Sequence, residues 1–138
     1  MEDRELVRLI LDFAQEMNNL QLCYAVLLRR KGADSTDVFR RYREEADRIY
    51  TRCLTRRKRS CYYGISYPPF FCGITEAAEF TVEHTEKRAV VTVHTDVGSL
   101  DFQFNLALRK GEWRIDSFKQ RYRIEDGCSP YQWQYGNF

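Results

Sequence analysis

Apolar residues recur along this chain at two different periods, and the change of period divides it. From Glu2 to about Leu28, the positions Leu6, Leu9, Ile10, Phe13, Met17, Leu20 and Tyr24 fall three or four apart, which predicts a long helix with one buried face. Asn18-Asn19 is a poor helix interior, so a kink there or two shorter helices stay open. Lys31-Gly32-Ala33-Asp34 ends the segment, with the glycine as carboxy-terminal cap and Asp34 or Ser35 opening the next helix. That second helix is expected from Thr36 to about Thr55, burying Phe39, Tyr42, Ala46, Ile49, Tyr50 and Cys53. Its outer face mixes Arg40, Arg41, Arg43, Arg48 and Arg52 with Asp37, Glu44, Glu45 and Asp47, at spacings that allow pairing along the helix.

From Gly73 to Arg123 the period becomes two. Phe80 and Val82 precede the polar break Thr85-Glu86-Lys87-Arg88, and Ala89, Val91 and Val93 follow it, up to the break Asp96-Val97-Gly98-Ser99. Leu100, Phe102, Phe104, Leu106 and Leu108 then alternate with Asp101, Gln103, Asn105, Ala107 and Arg109. Lys110-Gly111-Glu112 turns the chain into Trp113, Ile115 and Ser117. This is a meander of four antiparallel strands with one apolar face, which the helices must cover. The fold class expected is α+β: two amino-terminal helices packed on a curved antiparallel sheet.

Two stretches fit neither period. Cys61 to Gly73 is aromatic and turn-rich. Gly64 and Pro68-Pro69 break it into a short strand and a stiff loop, whose rings either close the core at the helix–sheet junction or present themselves to a ligand. After Arg123 comes a turn-like Ile124 to Pro130, followed by Tyr131, Trp133, Tyr135 and Phe138, with no charged residue from Gly127 onward. Such a tail is expected to return across the body, add an edge strand or contact another protein.

At 138 residues, 43% hydrophobic and 14% aromatic, the chain is expected to form a single domain over 1–138 with a real core. Twenty-two basic against 20 acidic residues leave a net charge of +2, which gives no global argument for nucleic acid or a membrane surface. The opening MEDRELVRLILDF is charged from its second residue, and no apolar run approaches the roughly 18–20 residues that span a bilayer. A cytoplasmic protein is therefore expected. Cys23, Cys53, Cys61, Cys72 and Cys128 form no CxxC pair and have no histidine at ligand spacing, so they read as reduced, mostly packing thiols, with no metal or cofactor called for.

The one unbroken basic run, Arg56-Arg57-Lys58-Arg59, closes the second helix. It is either a helix end whose cations suit the macrodipole, or a patch for a phosphate or an acidic partner beside Tyr62 and Tyr63. The interleaved Glu44, Glu45 and Asp47 argue against a continuous nucleic-acid track.

The segments LILDFAQEMN, IYTRCLTRRKRS, YYGISY and GEWRIDSFKQRY together resemble the bacterial nuclear transport factor 2 fold immunity proteins, antidotes encoded beside polymorphic toxins. The resemblance implies a nuclear transport factor 2-like cone, a bent sheet wrapped on the helices. It also implies a binding function without catalytic residues: neutralisation of a cognate toxin domain, with a homodimer as an option that sheets of this fold support. Aromatic and arginine anchors favour such interfaces, and three clusters qualify: Arg56, Arg57 and Arg59; Tyr62, Tyr63 and Tyr67 with Phe70 and Phe71; and Tyr131, Trp133 and Tyr135. The alternative is a small enzyme or ligand binder of the isomerase or dehydratase kind, using the cone pocket through His84 or His94. Asp101 and Asp116, alternating with apolar neighbours, read as solvent-facing rather than as pocket bases.

Overall fold

The computed structural model describes residues 2–57, 59, 65–97, 99–123, 132–136 and 138. Two helices, α1 (Glu2–Arg29) and α2 (Ser35–Cys53), are followed by strands β1 (Glu79–His84), β2 (Arg88–His94), β3 (Leu100–Arg109), β4 (Glu112–Tyr122) and β5 (Gln134–Tyr135). The strands form a curved antiparallel sheet in sequence order, β1-β2-β3-β4-β5.

Helix α1 buries Leu6, Ile10, Phe13, Met17, Gln21 and Tyr24 at helical spacing. It runs unbroken through Asn18-Asn19. The Asn18 amide instead donates to the Phe71 carbonyl at 3.0 Å, tying the loop before the sheet to the helix. Gly32 takes a positive φ of 81° after the helix, a conformation glycine adopts without steric cost. Asp34 then caps α2, its carboxylate accepting from the Asp37 N–H at 3.3 Å.

The expected inner face of α2 is corrected at one position. Phe39 is 41% exposed, and Val38 takes the inner place. Tyr42, Ala46 and Ile49 set the phase of the buried stripe, and Val38 lies four residues before Tyr42 on that stripe, whereas Phe39 lies about 100° round from Val38. The helix stops at Cys53 because Leu54 turns extended, bridges Ile115, and leaves the Thr55 N–H to donate to the Ile115 carbonyl at 2.9 Å.

The alternation expected along β4 is also corrected. Asn105 pairs with Ser117 but Leu106 pairs with Ile115, so Asp116 is an extra residue in a β-bulge. The bulge resets the phase. Ile115 and Phe118 both face the core, while Ser117 faces outward and accepts from the Asn105 amide at 3.1 Å.

Between helices and sheet the space is filled by rings. Phe71, carried in by the loop whose Phe70 N–H donates to Gln21 at 2.8 Å, meets Phe13 at 5.7 Å, Phe102 at 5.6 Å and Phe118 at 5.6 Å between centroids. Of the three fates open to the aromatic tail, it adds an edge strand: β5 pairs with β4, and Gly136 donates to the Phe118 carbonyl at 3.0 Å. A Cβ at Gly136 would lie 2.0 Å from the Phe118 ring, so this approach requires glycine. Phe138 then enters the core against Phe118 at 4.8 Å.

Candidate functional site

The bulge at Asp116 organises the basic run, which lies beyond the end of α2 rather than within it. A bulged residue leaves the strand ladder, and its backbone carbonyl needs another donor. Arg57 and Arg59 supply it, donating to the Asp116 carbonyl at 2.9 and 2.8 Å. The Thr55 hydroxyl donates to the Asp116 carboxylate at 2.6 Å, and Arg59 also donates to the Thr55 carbonyl at 3.0 Å. From β4, Arg114 reaches the open carbonyls at the end of α2, donating to Thr51, Arg52 and Leu54 at 2.7, 3.2 and 3.3 Å. That satisfies acceptors a helix terminus leaves unpaired, and places a cation at the negative end of the helix dipole.

The β3–β4 hairpin completes the surroundings. Lys110 and Gly111 have φ of 51° and 78°, the left-handed pair that a two-residue hairpin turn requires. A cavity of about 410 Å³ opens between this turn and the chain leaving α2. Five cations line it, Arg56, Arg57, Arg109, Lys110 and Arg114, against the carboxylates of Glu112 and Asp116. Glu112 is engaged by Arg114 at 3.2 Å and Asp116 by Arg57 at 3.9 Å. Among the described residues Arg56 and Lys110 have no ion-pair partner, and Arg109 reaches only the Leu108 carbonyl, at 3.4 Å. Of the expected arginine anchors, Arg56 and Arg57 face this cavity, whereas Arg59 is spent on Thr55, on Asp116 and on the Phe138 ring, 5.7 Å from its guanidinium.

The other sequence candidates lie elsewhere. Tyr67 is 63% exposed beneath Arg29 at the far end of the helix pair, 4.4 Å from guanidinium to ring. Trp133 and Tyr135 lie beside β4, under Arg121 and Lys119 at 4.2 and 4.8 Å. Tyr62, Tyr63 and Tyr131 fall outside the described residues, as do Cys61 and Cys128. Cys23, Cys53 and Cys72 are free thiols.

His84 and His94 are on opposite faces of the sheet. His84 faces α1, its Nε2 3.2 Å from the Asp3 carboxylate. His94 turns away from the helices with Thr92 and Val90, opposite Asp101 in the register. The reading of Asp101 as solvent-facing is overturned here, because its carboxylate is fully buried. Directly across the ladder it meets His94 Nδ1 at 2.9 Å on one side and Arg121 Nε at 3.1 Å on the other, with Arg123 Nε at 3.2 Å. Arg123 also donates to the Thr95 carbonyl. A carboxylate held by three basic groups can be buried without being left uncompensated. Asp116, also expected to face solvent, is half-buried in the bulge.

Sequence reasoning missed Arg109, Lys110 and Arg114, because they stand outside the contiguous basic run. The available signal was a hairpin turn with cations on both sides, read together with the helix end that its strand contacts. Among the described residues no group of three or more His, Cys, Asp and Glu side chains is placed to hold a metal ion, and no described helix is long and apolar enough to cross a membrane.

Residues 5–132 match the family model described as NTF2 fold immunity protein. No curated protein and no solved structure gives a significant match.

Proposed function

The chain belongs to the NTF2 fold immunity protein family, and from that premise we propose that it binds and neutralises a cognate bacterial toxin by covering its toxic domain. The observation that carries the reading is the family match across residues 5–132, which takes in α1 from its first turn onward, α2 and strands β1 to β4. The interior favours it as well. Between the helices and the sheet, Phe13, Phe71, Phe102, Phe104 and Phe118 are each at most 1% exposed and linked in one chain of ring contacts. Function then falls to the surface. A stable complex of this kind buries roughly 1,200–2,000 Å² in total, with aromatic and arginine anchors near its centre. On this reading residues 1–138 act as one cytoplasmic domain of a polymorphic toxin system, with no cofactor and no chemistry of its own. Arg56, Arg57, Tyr67, Trp133 and Tyr135 are the exposed or half-exposed anchors on offer.

The enzyme alternative draws on one observation, the His94–Asp101 contact at 2.9 Å. That pair lies on the sheet face turned from the helices, and Arg121 and Arg123 hold the same carboxylate, which favours a structural role.

The test is co-purification of the tagged protein from its source cells, identification of any stoichiometric partner by mass spectrometry, and expression of that partner's toxic domain with and without this chain. Restored growth is the expected result. Undiminished toxicity in cells that hold the folded protein would overturn the proposal.

A further inference from the structure

The cavity between the end of α2 and the β3–β4 turn carries charge that the described residues leave unmatched. Of its five cations, Arg57 and Arg114 answer the two carboxylates on its wall, and Arg56, Arg109 and Lys110 have no ion-pair partner among the described residues. The three come from two separate elements that converge on one space. Both elements are fixed: the α2 end by the Arg114 contacts to its carbonyls and by the Thr55–Asp116 hydrogen bond, and the hairpin by its left-handed two-residue turn. Cations held close together on rigid elements repel one another, and an anion placed among them relieves that repulsion without reorganising the site.

We infer that this cleft is the docking point for an acidic segment of the toxin, two or more neighbouring Asp or Glu side chains that enter between Arg56 and the Arg109-Lys110 turn. The inference rests on the immunity reading and gives the partner its local chemistry. A protein segment fits better than a nucleic acid. The adjoining cavity on the α2 side is of mixed charge, with Asp47 on its wall beside Arg56, Arg57 and Arg59, the last already engaged by Asp116 and Thr55. Beyond it the helix presents Glu44, engaged by Arg40 at 2.9 Å. Phosphate backbones are followed by cations repeated along a track, whereas this cleft is a bounded socket of about 410 Å³ in a chain of net charge +2. Arginine forks match carboxylates in two-point contacts, and among the described residues neither Arg56 nor Arg109 makes one.

The experiment uses a fluorescein-labelled hexaglutamate peptide as the probe, with binding to the full chain read by fluorescence anisotropy at low and physiological salt. Three proteins are compared: the unmodified chain, the Arg56→Glu/Lys110→Glu variant, and a control with the same change of net charge at the opposite end of the helix pair, Arg30→Glu/Lys31→Glu. Circular dichroism checks that each is folded. The expected result is salt-sensitive binding to the unmodified chain and to the control, weakened about tenfold or more by reversal in the cleft. Equal weakening by the control, or no weakening by the cleft variant, would overturn the inference. So would tighter binding of a six-nucleotide oligothymidylate than of the peptide, which would assign the cleft to phosphate. The peptide assay needs no toxin, so failure of the cleft leaves immunity standing, and the growth assay decides immunity separately.

Discussion

The Phe138 ring stands edge-on to Phe13, with 5.5 Å between centroids and 88° between planes. Phe138 is thereby held against the middle of the first helix, and it also meets Tyr50 at 5.7 Å and Phe118 at 4.8 Å. It is a core residue, 6% exposed, rather than the outer ring of a binding tail. Phe138→Ala should therefore lower stability by about 3 kcal/mol, the lower part of the range for truncating a buried phenylalanine, because a short edge strand relaxes more than a central one. Urea denaturation checks this. An unchanged midpoint would mean that the ring does not occupy the core in solution.

Asp101 makes a second, independent prediction. Its buried carboxylate is met by His94, Arg121 and Arg123, and Asp101→Asn would leave those basic groups facing a neutral amide. Breaking a buried ion cluster costs several kcal/mol, but the side chains of Arg121 and Arg123 remain 25% and 36% exposed and can turn to water. A loss of about 2 kcal/mol in chemical denaturation is expected.

Alkaline pH should destabilise the protein through groups that burial holds in their neutral form. Burial pushes the Tyr42 phenol above its ordinary value of 10.0, and burial likewise pushes the Cys53 thiol above 9.0. A raised pKa means that the folded state keeps its proton where the unfolded chain has lost it. The stabilisation is complete below the unfolded values and is lost as pH rises through the folded ones. Stability should thus fall from about pH 9 upward. Tyr42→Phe removes one of these groups and should flatten the decline. At neutral pH it should change stability by no more than about 1 kcal/mol, since the hydroxyl's contact with the Gln21 amide is long, at 3.5 Å. Thermal midpoints measured from pH 7 to 10.5 read both effects; parallel curves for the two proteins would refute the assignment to Tyr42.

Hydrophobic periodicity alone makes most of the fold legible in the sequence. Leu6, Ile10, Phe13 and Met17, and then Phe102, Phe104 and Leu106, are buried where their spacing puts them. Periodicity does not reveal the bulge at Asp116, because one inserted residue shifts the phase of β4 without any change in composition. Asp101 escapes it for a related reason. Alternation assigns a residue to a face of the sheet, but burial on that face depends on what lies across the ladder, and His94 and Arg121 are brought there by the register of three strands. The cleft is half legible. The basic run names Arg56 and Arg57, while Arg109 and Lys110 reach the same space only through the contact of Leu54 and Thr55 with Ile115.

The two readings of the basic run, helix end or binding patch, divide between its own residues, and alanine substitution separates them. Arg59 donates to the Asp116 carbonyl, to the Thr55 carbonyl and to the Thr55 hydroxyl, and lies over Phe138. Removing it strips the bulge of a charged donor, and Arg59→Ala should cost roughly 1.5–3 kcal/mol, the range for hydrogen bonds made by charged groups. Arg56 lines the cavity without an ion-pair partner among the described residues, so Arg56→Ala should change stability by less than about 0.5 kcal/mol. On the proposed function, affinity for the toxin partner should respond in the opposite order, falling for Arg56→Ala and holding for Arg59→Ala at temperatures where that variant is folded. Denaturation measures the first effect, and titration with the purified toxin domain measures the second. If Arg56→Ala lost stability while keeping full affinity, Arg56 would be structural like Arg59, and the proposed docking cleft would be wrong.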